Sequence, residues 1–235
     1  MPTQIVKLVN KKNIADGTME FHFEKPPGFD YKPGQFVDLI LINPLETDQA
    51  GNVRTFTLAS APNEKDLVIA SRMRDTAFKR ALKKQSRGSE VKIDGPMGSF
   101  TLHNNTSRSA VFLAGGIGIT PFFSIIKSTT EEKTAHKIYL FYSNRTQNSS
   151  PYLRELSELA SGNPNFTFIP TVTDEKWKGE TGYIDKQMVE KYLPDLNKPI
   201  YYIAGPPTMV TSLKKMLTQA GINDDDVRLE EFAGY

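Results

Sequence analysis

Through the first hundred residues, apolar and polar positions alternate in short runs. QIVKLVNKK, MEFHFEK, PGQFVDLILI, RTFTLAS, DLVIASRMR and EVKIDGP are rich in β-branched and aromatic residues. They are cut by Asp16-Gly17, Pro26-Pro27-Gly28, Pro33-Gly34 and Ala61-Pro62-Asn63, the residues that make turns. This rhythm predicts an antiparallel sheet or small barrel. From about Ser109 the pattern changes. VFLAGG, HKIYLFYS, FTFIPTVT and PIYYIAG are continuous apolar runs, and between them lie the helical patterns SPYLRELSELA, DKQMVEKYL and PTMVTSLKKMLTQAG. Buried runs alternating with amphipathic helices predict an α/β doubly wound parallel sheet with helices on both faces. The polar stretch LHNNTSRS, residues 102–109, reads as the linker between a first domain over 1–103 and a second over 108–235. A chain of 235 residues accommodates two such domains.

The densest chemical signal is VFLAGGIGITP, Val111 to Pro121: an apolar strand, a glycine turn, then a proline suited to a first helical turn. Glycines let the backbone approach a phosphate, and a helix N-terminus directs unpaired N–H groups at the anion. The spacing Gly116-x-Gly118-x-x-Pro121 puts proline where the dinucleotide fingerprint has its third glycine, and Thr120 is positioned to cap the helix. FFSIIK follows with helical spacing and KIYLFYSNR reads as the next parallel strand, which together make a βαβ unit. The first half carries its own anion-binding features. Arg54 opens a strand, and Asp75-Thr76 precedes the short amphipathic helix AFKRALKK, whose Phe78, Ala81 and Leu82 share one face. An arginine beside a capped helix N-terminus suits a diphosphate; a surface arginine and an ordinary capped helix fit the same residues.

Composition removes several chemistries. The chain has no cysteine, which excludes disulfides, thiolate metal sites and a cysteine nucleophile. The three histidines, His22, His103 and His136, are scattered without metal-ligand spacing, and no Ser/His/Asp or paired-carboxylate set stands out. No apolar stretch approaches a membrane span, and MPTQIVKLVNKK lacks a signal peptide's apolar core, so a soluble cytoplasmic protein is expected. A net charge of +2 implies no general attraction to nucleic acid.

Five motifs occur in order: Arg54-Thr55-Phe56-Thr57, GPMGSF from Gly95, LAGGIGITP from Leu113, AGPP from Ala204, and a terminal EEFAGY. In that order, over essentially the whole chain, they resemble the ferredoxin–NADP reductase superfamily of flavoproteins. The resemblance implies an N-terminal antiparallel Greek-key β-barrel that binds flavin and a C-terminal pyridine-nucleotide domain. It also implies hydride transfer from NAD(P)H to bound FAD, with FMN also found in the wider superfamily, and electrons passed to a separate acceptor. An alternative is a flavin-binding electron-relay or nucleotide-sensing subunit without diaphorase activity.

Carried over by position, Arg54 is similar to the arginine that holds the flavin phosphate, Phe56 to the aromatic packed on the isoalloxazine, and Thr57 to the hydroxyl residue near flavin N5. The segment Arg72 to Thr76 offers groups to the ribityl chain and diphosphate, with Thr76 the second phosphate contact. Gly95, Pro96 and Gly98 resemble a turn shaping the bottom of the cleft. Gly116, Gly118 and Thr120 are similar to the nicotinamide-nucleotide diphosphate loop, and Gly205 and Pro206 to the turn beside the nicotinamide. This chain departs from the pattern at Ala204, where the family usually has cysteine. At the C-terminus Phe232 or Tyr235 is expected to cover the flavin, and Glu230 or Glu231 to sit at its edge, with Glu231 the carboxyl expected to act in catalysis.

Nucleotide choice stays open. The strand end Ser143-Asn144-Arg145 lacks the acid that binds a ribose 2′-hydroxyl, which favours NADPH, whereas Asp174 would repel a 2′-phosphate. Between Arg72 and Lys92 lie eight basic residues against two acidic ones. A solvated basic helix explains them; so does a steering surface for an acidic ferredoxin or flavodoxin.

Overall fold

The structure, a computed structural model, describes residues 3–232. Six strands form the first lobe: β1 (Gln4–Ala15), β2 (Thr18–Glu24), β3 (Phe36–Leu41), β4 (Val53–Thr57), β5 (Asp66–Arg72) and β6 (Glu90–Met97). Their order is β4-β3-β6-β1-β2-β5, with antiparallel neighbours throughout. The bridge Leu58↔Ile69 joins the two edges, so the sheet closes on itself and leaves no free edge there. Alternate side chains point inward: Val6, Leu8, Phe21, Phe23, Val37, Leu39, Val91 and Ile93 are all buried in one cluster. Helix α1 (Ala77–Lys84) lays Phe78, Ala81 and Leu82 onto that cluster, the face expected from its spacing.

The second lobe has β7 (Ala110–Gly115), α2 (Ile119–Glu131), β8 (Ile138–Asn144), α3 (Leu153–Gly162), β9 (Phe166–Val172), β10 (Glu180–Thr181), α4 (Lys186–Tyr192), β11 (Ile200–Gly205), α5 (Pro207–Gln219) and β12 (Val227–Glu231). The sheet order is β10-β9-β8-β7-β11-β12 and every pairing is parallel. Helices α2 and α3 cover one face; α4 and α5 cover the other. Along β7, Phe112 and Ala114 face the first pair while Val111 and Leu113 face the second, which is why that strand is apolar at every position. From β7 the chain winds outward through β8, β9 and β10, then returns to the opposite side with β11 and β12. The crevice between β7 and β11 is therefore a topological switch point, where open parallel sheets bind ligands.

The lobes share a core. Ala59, Ala70 and Phe100 of the first pack with Ile117, Ile125 and Ala204 of the second in one buried cluster. Ser124 donates to the Ser60 carbonyl at 2.6 Å, Asn63 to Glu131 at 2.6 Å, and the Asp16 N–H to the Asn148 carbonyl at 2.8 Å. Lys127 pairs with Glu64 across the same seam. Among the described residues no helix is long and apolar enough to cross a membrane.

Two local expectations change. The strand β12 has no apolar run of its own, and the sequence pattern did not mark it; its VRLEE pairs with β11 from Tyr201↔Val227 to Gly205↔Glu231. Thr120 is not a helix cap. A 3-10 turn over Gly116–Gly118 runs straight into α2, so Thr120 already lies in the first turn and its hydroxyl donates back to the Ile117 carbonyl at 3.1 Å.

Candidate functional site

A cleft of about 960 Å³ opens at the switch point and runs onto the barrel. The parallel sheet supplies Gly115 and Gly116 at the end of β7, Ser143, Asn144 and Arg145 at the end of β8, Thr173 and Asp174 after β9, and Pro206 and Met209 after β11. The barrel supplies Gly17 and Arg72, Met73 and Arg74. These are C-terminal strand ends facing a strand-to-helix connection, so residues remote in sequence meet because the two sheets are apposed.

The glycines have separate reasons. Gly116 has φ +54° and lines the cleft. A Cβ on Gly118 would stand 2.4 Å from the Ala204 carbonyl oxygen, so this glycine brings the turn against β11 and is itself buried. Of the three residues expected at the nucleotide diphosphate, the cleft is lined by Gly116 alone, with Gly118 and Thr120 behind it shaping the turn. Gly205 is likewise behind Pro206, its carbonyl taken by the Phe232 N–H at 3.0 Å.

On the barrel, Thr76 caps α1, its hydroxyl accepting from the Lys79 N–H at 3.3 Å. The Arg54 guanidinium lies 5.1 Å from the centroid of the Phe78 ring, and Phe56 packs 6.0 Å from the same ring. Arg54, Phe56 and the start of α1 are thus gathered in one place. Lys79, partly buried there, has its pKa lowered by burial and then by Arg74 and Arg54. Arg72 donates to the Ser149 carbonyl at 3.3 Å, while its Nε is buried with no hydrogen-bond acceptor in the structure. Like charges drawn together, a capped helix start and an orphaned guanidinium donor form a set that fits an anionic, phosphate-bearing cofactor.

The C-terminal strand adds the last components. Period-two alternation turns Glu231 outward and Glu230 inward, opposite Ala204. Glu230 Oε2 is buried without a partner, and burial raises its pKa to about 7. The buried carboxyl at this end is thus Glu230, and Glu231 is exposed. Phe232 packs against the core shared by both lobes. Thr57 is buried at the end of β4, two residues before Ala59 of that same core. Tyr235 lies outside the described residues.

Several cleft residues carried no mark in the sequence pattern. Tyr183 is 81% exposed yet lines the cleft, and Met209 lies across the glycine backbone at Gly115 and Gly205. Tyr183 stands in a connection with no periodic pattern, and Met209, although within the helix that the pattern predicts, gives no sign that it faces the glycine turn. The basic run is less free than its composition: Arg80 is held by Glu46 and Asp75, and Lys84 stands 3.7 Å from Glu46. His103 and His136 meet edge to face at 5.3 Å, but no group of three candidate metal ligands gathers among the described residues.

Residues 112–215 match the oxidoreductase NAD-binding domain family. The chain is 35% identical over 155 residues to a subunit of the Na(+)-translocating NADH-quinone reductase of Klebsiella pneumoniae, covering 63% of this chain and 38% of that one. It is 27% identical over 215 residues to the reductase component of propane 2-monooxygenase of Rhodococcus jostii, covering 88% of this chain and 57% of that one. The chain therefore spans well under two thirds of these curated relatives. Among solved structures, the flavohem-like FAD/NAD-binding domain of the Vibrio cholerae nitric oxide dioxygenase superposes with TM-score 0.87 at 20% identity, over 97% of this chain and 98% of that one. A ferredoxin NADP+ reductase from Neisseria gonorrhoeae with bound FAD and NADP gives 0.82 at 19% identity, over 98% and 99%. The chain has the two-domain fold of these solved structures, a six-stranded antiparallel sheet followed by a six-stranded parallel one, and the match to the NAD-binding domain model lies within its second lobe.

Proposed function

We propose that this protein is an NAD(P)H-dependent flavoprotein reductase that takes a hydride from NAD(P)H onto bound FAD and passes electrons to a separate acceptor. In this reading residues 1–103 bind the flavin and 108–235 the nucleotide. The observation that supports it is the cleft itself, in which the switch point of the parallel sheet faces the cationic edge of a barrel. When bound, the flavin supplies a two-electron acceptor able to release electrons singly or in pairs.

The chain's own residues bind, orient and shield. Arg54 and the start of α1 at Thr76 hold the phosphates, with Arg72 contributing its unused donor. Phe56 packs against the ring system and Thr57 presents a hydroxyl beside it. Gly116 admits the nucleotide diphosphate, while Pro206 bounds the nicotinamide end. Arg145 and Asp174, at neighbouring strand ends, address the adenosine ribose. Glu230 holds a proton near neutrality in a site from which water is largely excluded, and Phe232 covers the open ring face until the nicotinamide displaces it. Ala204 leaves the nicotinamide pocket without a thiol, so hydride transfer relies on orientation alone.

The separate acceptor is read as an acidic carrier such as a ferredoxin or flavodoxin, met in the cytoplasm, with Lys83 and Arg87 among the exposed basic residues of the barrel helix and its exit. The test is direct. Protein reconstituted with FAD is assayed for ferricyanide reduction with NADH and with NADPH. Turnover with either supports the reading; a yellow protein inert to both contradicts it.

A further inference from the structure

The guanidinium of Arg54 is already engaged by its own connection. Residues 42–52, between β3 and β4, fold back so that Nη1 is directed at the carbonyls of Ala50 (2.8 Å), Gly51 (3.1 Å) and Val53 (2.6 Å). Nη2 donates to Asp48 Oδ1 at 3.3 Å. The other acid of this connection, Glu46, takes Arg80 through contacts of 2.6 to 3.2 Å and reaches towards Lys84. Both acids of the connection thus address cations at α1. Arg54 lies over Phe78 of that helix, and the charged form of Lys79 is disfavoured first by burial and then by the charges of Arg74 and Arg54.

The two halves of the Arg54 contact differ in kind. The Nη1 contacts run to neutral backbone, which a bound anion leaves undisturbed. The Nη2 contact runs to a carboxylate through a single long bond between side chains that are 26% and 38% exposed. An exposed pair of this sort is weak, and a phosphate carries more charge and more acceptors. We propose that Asp48 is an affinity-determining residue of the flavin phosphate site: its carboxylate competes with the phosphate for Arg54 Nη2, so the cofactor seats only when the 42–52 connection releases that contact. In the unloaded protein Asp48 keeps Arg54 ordered. In the loaded protein it remains beside the phosphate as a like charge and lowers retention. This rests on the reading of Arg54 as the phosphate anchor.

The proposal is tested on flavin-free protein by titration with FAD and with ADP, followed by fluorescence and calorimetry. Asp48→Asn and Asp48→Ser are compared with wild type and with Arg54→Ala; Glu158→Gln makes the same change of net charge on the exposed face of α3. Both Asp48 variants are expected to bind FAD about three- to tenfold more tightly, the gap narrowing at high salt. Glu158→Gln is expected to match wild type, and the flavin-free Asp48 variants to melt lower. Unchanged or weaker FAD binding in both Asp48 variants, with binding lost in Arg54→Ala, overturns this proposal and leaves the anchor standing. FAD binding unaffected by Arg54→Ala removes the anchor and the proposal together.

Discussion

Glu230 and Glu231 are neighbours in sequence and opposites in environment. Their identities alone rate them alike; what separates them is the pairing of β12 with β11, which the sequence pattern did not reveal. Burial lifts Glu230 from the ordinary value of 4.5 to about 7, so the native state keeps its proton where the unfolded chain has released it. That stability is complete below about pH 4.5 and is lost as pH rises through 7. Glu230→Gln is therefore expected to gain on wild type with rising pH, by on the order of 2 kcal/mol between pH 5 and 8 in urea unfolding; a constant difference would place the carboxyl in water. At the proposed ribose end, Asp174→Asn is expected to lower the KM for NADPH about three- to tenfold with little effect on NADH, because on this reading a like charge near a 2′-phosphate is removed. Arg145→Ala is expected to raise the KM for NADPH more than that for NADH, and equal rises would remove a 2′-phosphate role. Arg145 and Asp174 were both visible in the sequence, but the spacing could not say that their strand ends open into the same cleft.

The elements most legible in the sequence were those whose burial is uniform or strictly periodic. The apolar runs of β7, β8 and β11 and the three-residue apolar face of α1 fall where the pattern places them. What failed depends on pairing rather than propensity: β12 is mostly charged, and the two-residue β10 exists through its parallel contact with β9. The glycine loop was legible as a strand-to-helix turn but not in its division of labour. Gly115 and Gly118 look equivalent in sequence, yet a Cβ on Gly118 meets the backbone of Ala204 and Gly205, whereas on Gly115 it meets the movable Met209 side chain. Gly118→Ala is expected to cost about 1–3 kcal/mol in thermal or urea unfolding and to displace the turn from β11, with Gly115→Ala costing less because Met209 changes rotamer. Equal costs would mean that the turn is not held against β11.

At the scale of the whole molecule, order along the chain was more informative than any single motif, because five weak matches in the right sequence define two lobes and the crevice between them. Their common core was not legible: nothing in Ala59, Ala70 or Phe100 says that they pack against the nucleotide lobe. The basic segment was legible as charge, but not the acids that fold onto it from residues 42–52. With Arg80 and Lys84 engaged internally, the proposed steering of an acidic carrier rests on groups such as Lys83 and Arg87. Reduction of such a carrier is expected to slow as ionic strength rises, and Lys83→Glu with Arg87→Glu to slow it at low salt while ferricyanide turnover holds; salt-independent reduction would count against steering. The central claim is that one cleft holds a flavin on the barrel within reach of a nicotinamide on the parallel sheet. Its most direct test is anaerobic mixing of FAD-loaded protein with NADH or NADPH while the flavin absorbance is followed, and bleaching by at least one nucleotide is expected. A protein that takes up no flavin, or whose bound flavin stays oxidised with both, contradicts it.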